Sequence, residues 1–494
     1  MINVLLRGHD FRHDIEELIK VFGLFKDIAF ISEEREYNNR NDFFLINEVI
    51  EKEEKCFIRT KLSKDNQLLR IHDTSYIINL KDSDIKRRKE LKRNIKVNIF
   101  DILVTIFNND IPWGILTGIR PTKIVHEFLD NNKSVEGIKQ ILKDDYRISS
   151  EKIELLMDIA LCERKYIYPI NEDLVSVYVS IPFCPTRCIY CSFPSNPIKE
   201  GSNKIEDYLE ALYNEIQMTS ELLKEANKKV ESIYIGGGTP TTLSWLQLDN
   251  LIKCLRKSFD TSELKEFTVE AGRPDTIDID KLKTLKENGI DRISINPQTM
   301  NLKTLELIGR KHTPQEIERA FYSARRAGFD TVNMDIIIGL PGEGIDEVQN
   351  TMEAIKTLDP ENLTVHTLAV KRSSRLKGAL GEFKMCDEDL VKEMLAITKE
   401  YTYRIGLHPY YMYRQKYMVG NLENVGYCKK GHECLYNMQI MEEKQSIIAL
   451  GAGGVSKIVF PMENRLERVP NVKNVDEYIK RVDEMVKRKR KQII

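Results

Sequence analysis

Three cysteines on one short segment are the residues of this chain whose types and spacing most clearly suit chemistry. Cys184, Cys188 and Cys191 are separated by three and then by two residues, and they follow the apolar run 177–181. Thiolates at such short spacing can converge on one metal centre, and cubane iron–sulfur clusters usually take four of them. Three ligands leave one iron open, and an open position is what a catalytic metal needs. The spacing therefore predicts a [4Fe-4S] cluster with one iron that lacks a protein ligand.

Two other roles fit these cysteines taken alone, because cysteine is often a small buried apolar residue and zinc also binds clustered thiolates. A second motif favours the iron–sulfur cluster. The sequence Gly-Gly-Gly-Thr-Pro at residues 236–240 directly follows the strand-like run 230–235. Glycines let the backbone approach a ligand closely and adopt unusual φ angles. A tight turn would explain one or two of these glycines, but not three followed by Thr-Pro at the end of a strand.

Together these motifs resemble those of a known superfamily. The pattern C-x3-C-x-aromatic-C, in which Tyr190 is the aromatic residue, resembles the signature of radical S-adenosylmethionine (SAM) enzymes. Residues 178–184 resemble the oxygen-independent coproporphyrinogen III dehydrogenase family, and the Trp-Gly and Arg-Pro-Thr-Lys sequences within 112–123 resemble its HemZ-type branch. In this family SAM chelates the free iron, and one electron from the cluster cleaves SAM to a 5′-deoxyadenosyl radical.

The resemblance implies two cofactors, a [4Fe-4S] cluster and SAM, and the residues that bind them. The cluster ligands would be Cys184, Cys188 and Cys191. Tyr178 and Glu270 are the candidate catalytic residues. The positions that match SAM-binding residues of the family are Tyr178, Tyr190, Gly237, Gly238, Thr239, Glu270, Gln298, Arg310, Asp335 and Ala369.

Residues 171–374 alternate strand-like segments with amphipathic helical ones. The strand-like runs are 175–181, 230–235, 266–271, 291–296, 330–337 and 362–370. Repeated βα units build a parallel sheet, either doubly wound or closed into a barrel. The motifs fall at the ends of successive strands, where barrel enzymes place their sites, and this favours a partial (β/α)6 TIM-like radical SAM barrel. Asp335 interrupts the apolar run 332–338, and a buried carboxylate needs partners that a ligand can supply.

The flanking segments predict three further parts of an α/β protein. Residues 1–95 alternate short β-rich runs with polar turns, which indicates a small α+β N-terminal domain. Apolar residues at helical spacing predict a helical connecting region over 96–170. After 374 the strand–helix alternation stops, and residues 375–494 are expected to form a mainly helical C-terminal domain that covers the site or binds the substrate.

Two features of this C-terminal part invite a chemical interpretation. Residues 409–416 combine tyrosines with Arg and Lys, which would suit a flat, carboxylate-bearing substrate or the tyrosine-rich core of a helical lid. Cys428, His432 and Cys434 have the residue types of a metal site. No second pair is spaced to complete that site, so we expect no auxiliary centre there.

Composition and charge limit the binding partners and the cellular compartment that we expect for this protein. A net charge of −1 over 494 residues gives no overall attraction to nucleic acid or anionic lipid. No apolar run approaches the roughly 18 residues of a membrane span, and residues 1–7 meet charge too early for a signal peptide. Thiols committed to metal ligation favour a reducing compartment, which predicts a cytoplasmic location. The basic run 487–491 is expected to fray in solvent.

The family resemblance implies a function in haem biosynthesis, the oxygen-independent oxidative decarboxylation of coproporphyrinogen III to protoporphyrinogen IX. The substrate would be a tetrapyrrole, and the reductant a small electron-transfer protein such as flavodoxin or ferredoxin. Phe193 departs from the family pattern, because the best-known dehydrogenases place a fourth cysteine there. Haem chaperones of the same superfamily carry an aromatic residue at that position. Haem binding and transfer is therefore the leading alternative, and radical methyl transfer to a tetrapyrrole is a third.

Overall fold

The computed structural model describes residues 1–34, 42–193, 195–197, 203–371, 373–378, 381, 383, 385–415, 418, 422–463 and 465–494. The chain divides into two compact units, Met1–Asp158 and Ile159–Ile494. The sequence instead divides it into four segments, with boundaries after residues 95, 170 and 374. The connecting region 96–170 forms no unit of its own, and the C-terminal part lies in the same unit as the predicted core. The separate roles assigned to those four segments stay predictions.

The first unit is built on one five-stranded sheet. Its strands are β1 (Ile2–Arg7), β2 (Ile28–Ile31), β3 (Phe43–Lys52), β4 (Lys55–Lys64) and β5 (Gln67–Ile77), in the order β2-β1-β3-β4-β5. Its helices are α1 (Arg12–Val21), α2 (Asp84–Phe107), α3 (Thr122–Asp130), α4 (Val135–Asp144) and the first half of α5 (Ser150–Ile167). The β-rich runs of the sequence predict two separate strands here, at 68–72 and 76–80. The structure instead has one continuous strand, β5, which pairs along β4.

The segment 112–123, which resembles the HemZ-type branch, packs inside this unit. Trp113 is only 2% exposed. Gly114 has φ +51°, and a Cβ atom there would lie 2.1 Å from the carbonyl oxygen of Tyr146. Pro121 immediately precedes helix α3, where the fixed φ of proline suits the start of a helix. These contacts agree with a packing role for the segment.

The second unit contains one large sheet and the helices around it. Its strands are β6 (Leu174–Ile181), β7 (Phe183–Cys184), β8 (Asn196–Pro197), β9 (Lys229–Gly237), β10 (Glu266–Glu270), β11 (Arg292–Ser294), β12 (Thr331–Ile338), β13 (Asn362–Thr367), β14 (His408–Tyr413), β15 (Asn424–Cys428), β16 (Ser446–Leu450), β17 (Val455–Phe460) and β18 (Arg465–Pro470). Its helices are α6 (Lys204–Glu225), α7 (Trp245–Ser258), α8 (Ile279–Glu287), α9 (Leu302–Leu307), α10 (Pro314–Arg326), α11 (Ile345–Leu358), α12 (Arg375–Gly378), α13 (Glu388–Arg404), α14 (Leu435–Glu442), α15 (Val475–Lys480) and α16 (Val482–Ile493).

The strand order confirms the barrel type of fold. The large sheet runs β14-β15-β13-β12-β11-β10-β9-β6-β16-β17-β18. Strands β6 and β9 to β13 are parallel, and each lies beside the next of the six along the chain. A doubly wound sheet reverses its strand order part-way, whereas an unbroken order is that of a (β/α) barrel. The fold is therefore a partial (β/α)6 barrel of the radical SAM type.

The C-terminal part contains more strand than the sequence indicates. Strands β14 and β15 extend one edge of the large sheet antiparallel to β13. Strand β16 lies parallel to β6 at the other edge, and β17 and β18 continue from it. Helices α12 to α16 account for the helical part of the prediction. Because β15 and β16 pair with strands far away in the sequence, their partners could not be read from periodicity.

The basic run near the C-terminus is ordered, contrary to the expectation that it frays. It lies in α16, and Lys489 is fully buried. Its Nζ donates to Glu215 Oε1 at 2.5 Å and to Asn471 Oδ1 at 3.0 Å. Glu215 Oε2 accepts from the Tyr478 hydroxyl at 2.6 Å. The burial of Lys489 could not be predicted from composition, because one buried ion pair in a basic helix leaves no periodic pattern in the sequence.

No helix of the described chain is long and apolar enough to cross a membrane.

The buried pair yields a stability prediction. Replacing Lys489 with Ala removes the cation and leaves the Glu215 carboxylate buried without its charge partner. Breaking such a pair by removing one member costs about 3–5 kcal/mol. We expect the free energy of unfolding of the second unit to fall by that amount, measured by denaturant unfolding followed by circular dichroism.

Lys487→Ala is the matched control, because Lys487 lies on the exposed face of the same helix. An exposed substitution of this kind changes stability by less than about 0.5 kcal/mol. Equal stabilities of the two variants would contradict the anchoring role of Lys489.

Candidate cluster and cofactor site

The three cysteines lie on a loop that is joined by backbone hydrogen bonds to the glycine motif. The amide of Gly238 donates to Ile181 O at 2.8 Å, and the amide of Thr239 donates to Phe183 O at 2.8 Å. A Cβ atom on Gly238 would lie 2.5 Å from Phe183 O and 3.0 Å from Cys184 Sγ. Only glycine fits at this position, so the second motif sets where the first cysteine sits.

The far side of the loop is held by residues of helices α9 and α12 and of the segment after β10. The amide of Ile189 donates to Ile308 O at 3.1 Å, and its carbonyl accepts from Leu376 N at 2.9 Å. The Arg273 guanidinium donates to Thr186 Oγ1 at 2.8 Å. The loop that carries Cys188 and Cys191 is thus fixed from both sides before any metal binds.

All three thiols are free, and Cys188 is only 8% exposed. Burial raises the pKa of the Cys184 and Cys191 thiols above its ordinary value. A buried thiolate needs a compensating positive charge, and a metal centre supplies one. Together with the close approach at Gly238, the free thiols fit the three-cysteine cluster that the sequence predicts.

Glu270 ends strand β10 and packs over the glycine motif. A Cβ atom on Gly236 would lie 2.9 Å from its carboxyl carbon. Its Oε1 accepts from the Tyr234 hydroxyl at 2.8 Å. Burial raises the pKa of Glu270 to about 7, and the nearby Asp335 adds to the rise, while the Tyr234 hydrogen bond opposes it. The two candidate carboxylates Glu270 and Asp335 therefore share one site.

Asp335 and Gln298 are joined across neighbouring strands. Gln298 has φ +69°; its amide donates to Asp335 O at 2.9 Å, and its carbonyl accepts from Ile337 N at 2.9 Å. The Asp335 carboxylate accepts from Asn333 Nδ2 at 2.8 Å and lies 3.7 Å from His366 Nε2. Gln298 Oε1 is buried and has no hydrogen-bond partner among the described residues. A ligand with hydrogen-bond donors would satisfy it.

Arg310 links the strand ends to the cluster loop. Its guanidinium donates to Asn296 O at 2.5 Å and, more weakly, to the Tyr190 hydroxyl at 3.4 Å. Its Nε is buried and has no hydrogen-bond partner among the described residues. Arg310 therefore has a structural role in addition to any contact with SAM. Ala369 lies two residues past β13 and forms a single antiparallel bridge with Met418.

Tyr178 lies deeper in the site, among tyrosines that the sequence did not single out for it. Its ring stacks on Tyr234 at 6.2 Å and on Tyr436 at 6.0 Å between centroids. Burial raises the pKa of the Tyr178 hydroxyl above its ordinary value. Tyr436 comes from helix α14, far along the chain, and no motif spacing marks it.

The C-terminal features separate into different places. Cys434 Sγ lies 3.2 Å from Glu266 Oε1, and His432 Nδ1 lies 2.8 Å from Thr331 Oγ1. Cys428 Sγ lies 3.7 Å from His408 Nε2, so the three side chains have different partners among the described residues. Tyr410 and Tyr411 of the 409–416 segment are buried in strand β14. For these two tyrosines the packing interpretation holds, although they belong to a strand and not to a helical lid.

The described residues fit both implied cofactors. The cluster would be held by the three cysteines. The unpartnered Gln298 Oε1 and the paired carboxylates Glu270 and Asp335 suit a ligand that combines positive charge with hydrogen-bond donors. SAM, a sulfonium with an amino group and ribose hydroxyls, is such a ligand.

Comparison with known proteins agrees with this chemistry. Residues 178–355 match the radical SAM superfamily. The chain is 41% identical over 399 residues to the oxygen-independent coproporphyrinogen-III oxidase-like protein HemZ of Bacillus subtilis, covering 80% of this chain and 79% of HemZ. The chain belongs to the radical SAM superfamily and to its HemZ-type family. Members of this superfamily use a [4Fe-4S] cluster and SAM.

Two further relatives of this radical SAM protein carry different names. It is 32% identical to the haem chaperone HemW of Bacillus subtilis, over 56% of this chain and 69% of HemW. Among solved structures, coproporphyrinogen III oxidase (HemN) of Escherichia coli, a radical SAM enzyme, aligns with a TM-score of 0.52 and 25% identity, over 66% of this chain and 73% of that one.

The close approach at Gly238 gives a prediction for the cluster. Gly238→Ala would push a methyl group against Phe183 O and Cys184 Sγ, and the loop must shift to accept it. We expect this radical SAM protein, reconstituted anaerobically, to hold about four irons per chain, and we expect Gly238→Ala and each of the variants Cys184→Ala, Cys188→Ala and Cys191→Ala to lose most of that iron.

Cys254→Ala is the control, because Cys254 lies on helix α7 outside the loop. It should keep the full iron content. Full iron content in any of the three cluster-cysteine variants would contradict the ligand assignment.

Asp335 gives a prediction for SAM binding. Asp335→Asn keeps an oxygen to accept from Asn333 but removes the charge. A hydrogen bond to a charged group is worth about 1.5–3 kcal/mol, so we expect the dissociation constant for SAM to rise roughly ten- to hundredfold, measured by calorimetry, with cluster content and melting temperature nearly unchanged.

Asp330→Asn is the matched control, since Asp330 is 92% exposed just before the same strand. It should bind SAM like the unmodified protein. If Asp335→Asn melted much earlier yet bound SAM equally well, Asp335 would be a structural residue.

Proposed function

We propose that this radical SAM protein catalyses the oxygen-independent oxidative decarboxylation of coproporphyrinogen III to protoporphyrinogen IX. The observation that carries the proposal is the length of the likeness to HemZ. It spans 79% of that coproporphyrinogen-III oxidase-like protein at 41% identity, whereas the match to the superfamily covers residues 178–355 alone. The likeness therefore includes parts of the chain outside the common barrel, where members of one superfamily differ in substrate.

The residues of the site have distinct roles in this proposal. Cys184, Cys188 and Cys191 hold the cluster with one iron open. Gly237 and Gly238 would present backbone carbonyl groups to SAM at the carboxyl end of β9, where the absence of side chains allows a close approach. Thr239, the next residue, would line the same place with its hydroxyl, which lies 3.5 Å from Cys184 Sγ. When bound, the cluster and SAM supply one-electron chemistry at an unactivated carbon.

The strand-end residues would orient SAM against the cluster. Glu270 and Asp335 accept hydrogen bonds from its ribose or amino group, and Gln298 Oε1 gains the partner that it lacks. Arg310, which is tied to Tyr190, holds the rim between this site and the cluster loop. Tyr178 forms the floor below Glu270 with its stacked neighbours. Each of these groups orients the ligand or excludes water.

The overall reaction sets what the substrate pocket must provide. The two propionate side chains that react each lose carbon dioxide, one proton and two electrons and become vinyl groups, so an electron acceptor and a reductant such as flavodoxin or ferredoxin belong to the system. The substrate is rich in carboxylates, and two cations lie beside the cluster loop. Arg187 Nη2 donates to Ser373 O at 2.9 Å and lies 3.5 Å from Cys191 O. Lys371 is near Cys191, and burial lowers the pKa of its ammonium group.

A specific observation favours haem binding and transfer as the second candidate. Phe193, at the position where the best-known dehydrogenases have a fourth cysteine, is 63% exposed. An exposed aromatic ring beside the cluster loop offers a stacking surface for a flat macrocycle. The chain is also 32% identical to the haem chaperone HemW. In that case the cluster and SAM would regulate haem transfer without turnover of a substrate.

One anaerobic assay separates the two functions. The reconstituted protein is incubated with coproporphyrinogen III, SAM and a reductant, and the tetrapyrroles are then analysed by chromatography with mass detection. We expect protoporphyrinogen IX and consumption of SAM, and neither from the Cys188→Ala variant.

A parallel titration with haem tests the alternative. Stoichiometric haem binding that weakens in Phe193→Ala, together with no conversion of coproporphyrinogen III, would overturn the decarboxylase assignment and support the chaperone. Turnover that is unaffected by Phe193→Ala would support the enzyme.

A further inference from the structure

A second group of metal-ligating side chains lies in the second unit, apart from the cluster loop. It consists of Cys162 in the last turns of α5, His408 at the start of β14 and Glu433 in the turn after β15, and Cys428 at the end of β15 adjoins it through His408. Cys162 Sγ, the His408 ring nitrogen and the Glu433 carboxylate lie within 4.8 Å of one another. His408 Nε2 lies 3.2 Å from Glu433 Oε1 and 3.7 Å from Cys428 Sγ.

The two distances from His408 are those of ligand pairs around a tetrahedral zinc ion. With zinc–nitrogen and zinc–oxygen bonds of about 2.0–2.1 Å and zinc–sulfur bonds of about 2.3 Å, tetrahedral angles place nitrogen and oxygen ligands about 3.3 Å apart. The same geometry places nitrogen and sulfur ligands about 3.6 Å apart. The His408–Glu433 and His408–Cys428 distances of 3.2 and 3.7 Å are close to both values.

The carboxylate in this group is already oriented by its neighbours. Glu433 Oε2 accepts from the Tyr166 hydroxyl at 2.7 Å and from the amide of Gly431 at 2.9 Å. These two bonds leave Oε1 facing His408. Hydrogen bonds that fix the free oxygen or nitrogen of a ligand in this way are typical of built metal sites.

We propose that Cys162, His408, Cys428 and Glu433 bind one zinc ion in a closed, four-coordinate structural site. Two thiolates, an imidazole and a carboxylate satisfy the tetrahedral preference of zinc without an open position. Such a site differs from the Cys428, His432 and Cys434 group considered from the sequence. His432 and Cys434 point to other partners, while Cys162 and His408 come from distant parts of the chain.

The electrostatics of the group agree with this assignment. Burial raises the pKa of the Cys162 thiol to about 11, and the Glu433 carboxylate adds to the rise. Burial and Glu433 also raise the pKa of Cys428. A bound dication would offset the negative charge of two thiolates and a carboxylate held this close together.

The position in the barrel indicates a stabilising role. Cys428 pairs with Asn362, the first residue of β13, so the group lies at the amino ends of the parallel strands. Candidate SAM residues such as Gly237 and Glu270 lie at the carboxyl ends. In barrels of this type the amino face contributes to stability and the carboxyl face to chemistry. A zinc ion here would tie α5 to the two antiparallel strands at the sheet edge.

Metal analysis of the cluster-containing full chain tests the proposal. After exposure to zinc sulfate and removal of loose metal by a chelator, we expect about one zinc per chain in addition to the iron. Cys162→Ala and Cys428→Ala should lose the zinc and keep the iron. X-ray absorption at the zinc edge should give two sulfur neighbours at about 2.3 Å and two nitrogen or oxygen neighbours at about 2.0–2.1 Å.

The variant Tyr166→Phe provides a second test if the cysteine variants fail to fold. Tyr166 lies on the surface, so we expect this substitution to leave folding intact. Loss of its hydrogen bond to Glu433 should weaken zinc binding about tenfold. The matched control is Tyr322→Phe, an exposed tyrosine on α10, which should leave zinc affinity unchanged. The triple variant Cys184→Ser, Cys188→Ser, Cys191→Ser should still bind one zinc, which excludes zinc held by the cluster cysteines.

Three results would overturn the proposal. Zinc that is lost in the triple cluster variant belongs to the cluster loop. A disulfide between Cys162 and Cys428 in the native protein, detected by mass spectrometry without reduction, would show a redox pair instead. Zinc absent from the unmodified chain after chelator treatment would show that the four side chains form only a hydrogen-bonded network. None of these outcomes depends on whether the protein decarboxylates coproporphyrinogen III or transfers haem.

Discussion

The close approach of two backbone segments at Gly238 is the constraint on which the site depends. The amides of Gly238 and Thr239 donate to the carbonyls of Ile181 and Phe183, and there is no space for a Cβ atom between them. Because these bonds are made between main-chain groups, the geometry of the first cysteine does not depend on flexible side chains. Gly236, two residues earlier on the same strand, acts in the same way, because its lack of a Cβ atom lets the Glu270 carboxylate pack directly over the strand. Two glycines thus bring a thiol and a carboxylate to the end of one strand.

The C-terminal part completes the barrel from below. Glu266, at the amino end of β10, accepts hydrogen bonds from the amides of Leu435 at 2.8 Å and Tyr436 at 3.3 Å. A carboxylate at the first amides of a helix stabilises it through unpaired N–H groups and the helix dipole. This contact places Tyr436 beneath Tyr178, 6.0 Å away between ring centroids. The floor of the candidate site is therefore supplied by a segment more than 200 residues away in sequence, and its position is set by one buried acid.

The sequence predicts the parts of this architecture that repeat or that carry local motifs. Periodicity predicts the six strands of the barrel and helix α10, and glycine spacing predicts the strand ends at which the motifs fall. Both signals are local in the sequence. Strands β15 and β16 join the C-terminal part to β13 and β6, far away in the sequence, and their register depends on contacts that no local pattern records. The same is true of Lys489 and of the group formed by Cys162, His408, Cys428 and Glu433. Sequence spacing instead grouped Cys428 with His432 and Cys434, whose side chains point to different partners.

The two candidate functions need different things from the same site. Removal of a propionate carboxylate requires the reacting carbon to reach SAM, in a place that excludes water and holds the charged side chain. The acidic interior around Glu270 and Asp335 would repel propionates, so the carboxylates must approach from the side of Arg187 and Lys371, next to the cluster loop. Haem transfer requires only a flat surface that haem can leave, and the exposed Phe193 ring lies on that same loop. Both ligands would therefore meet the protein at the cluster loop, and what separates the functions is whether the macrocycle can place one edge inside the barrel. Arg187 and Lys371, at the loop that would hold the cluster, would favour entry of a propionate edge, and decarboxylation needs that arrangement whereas haem transfer does not.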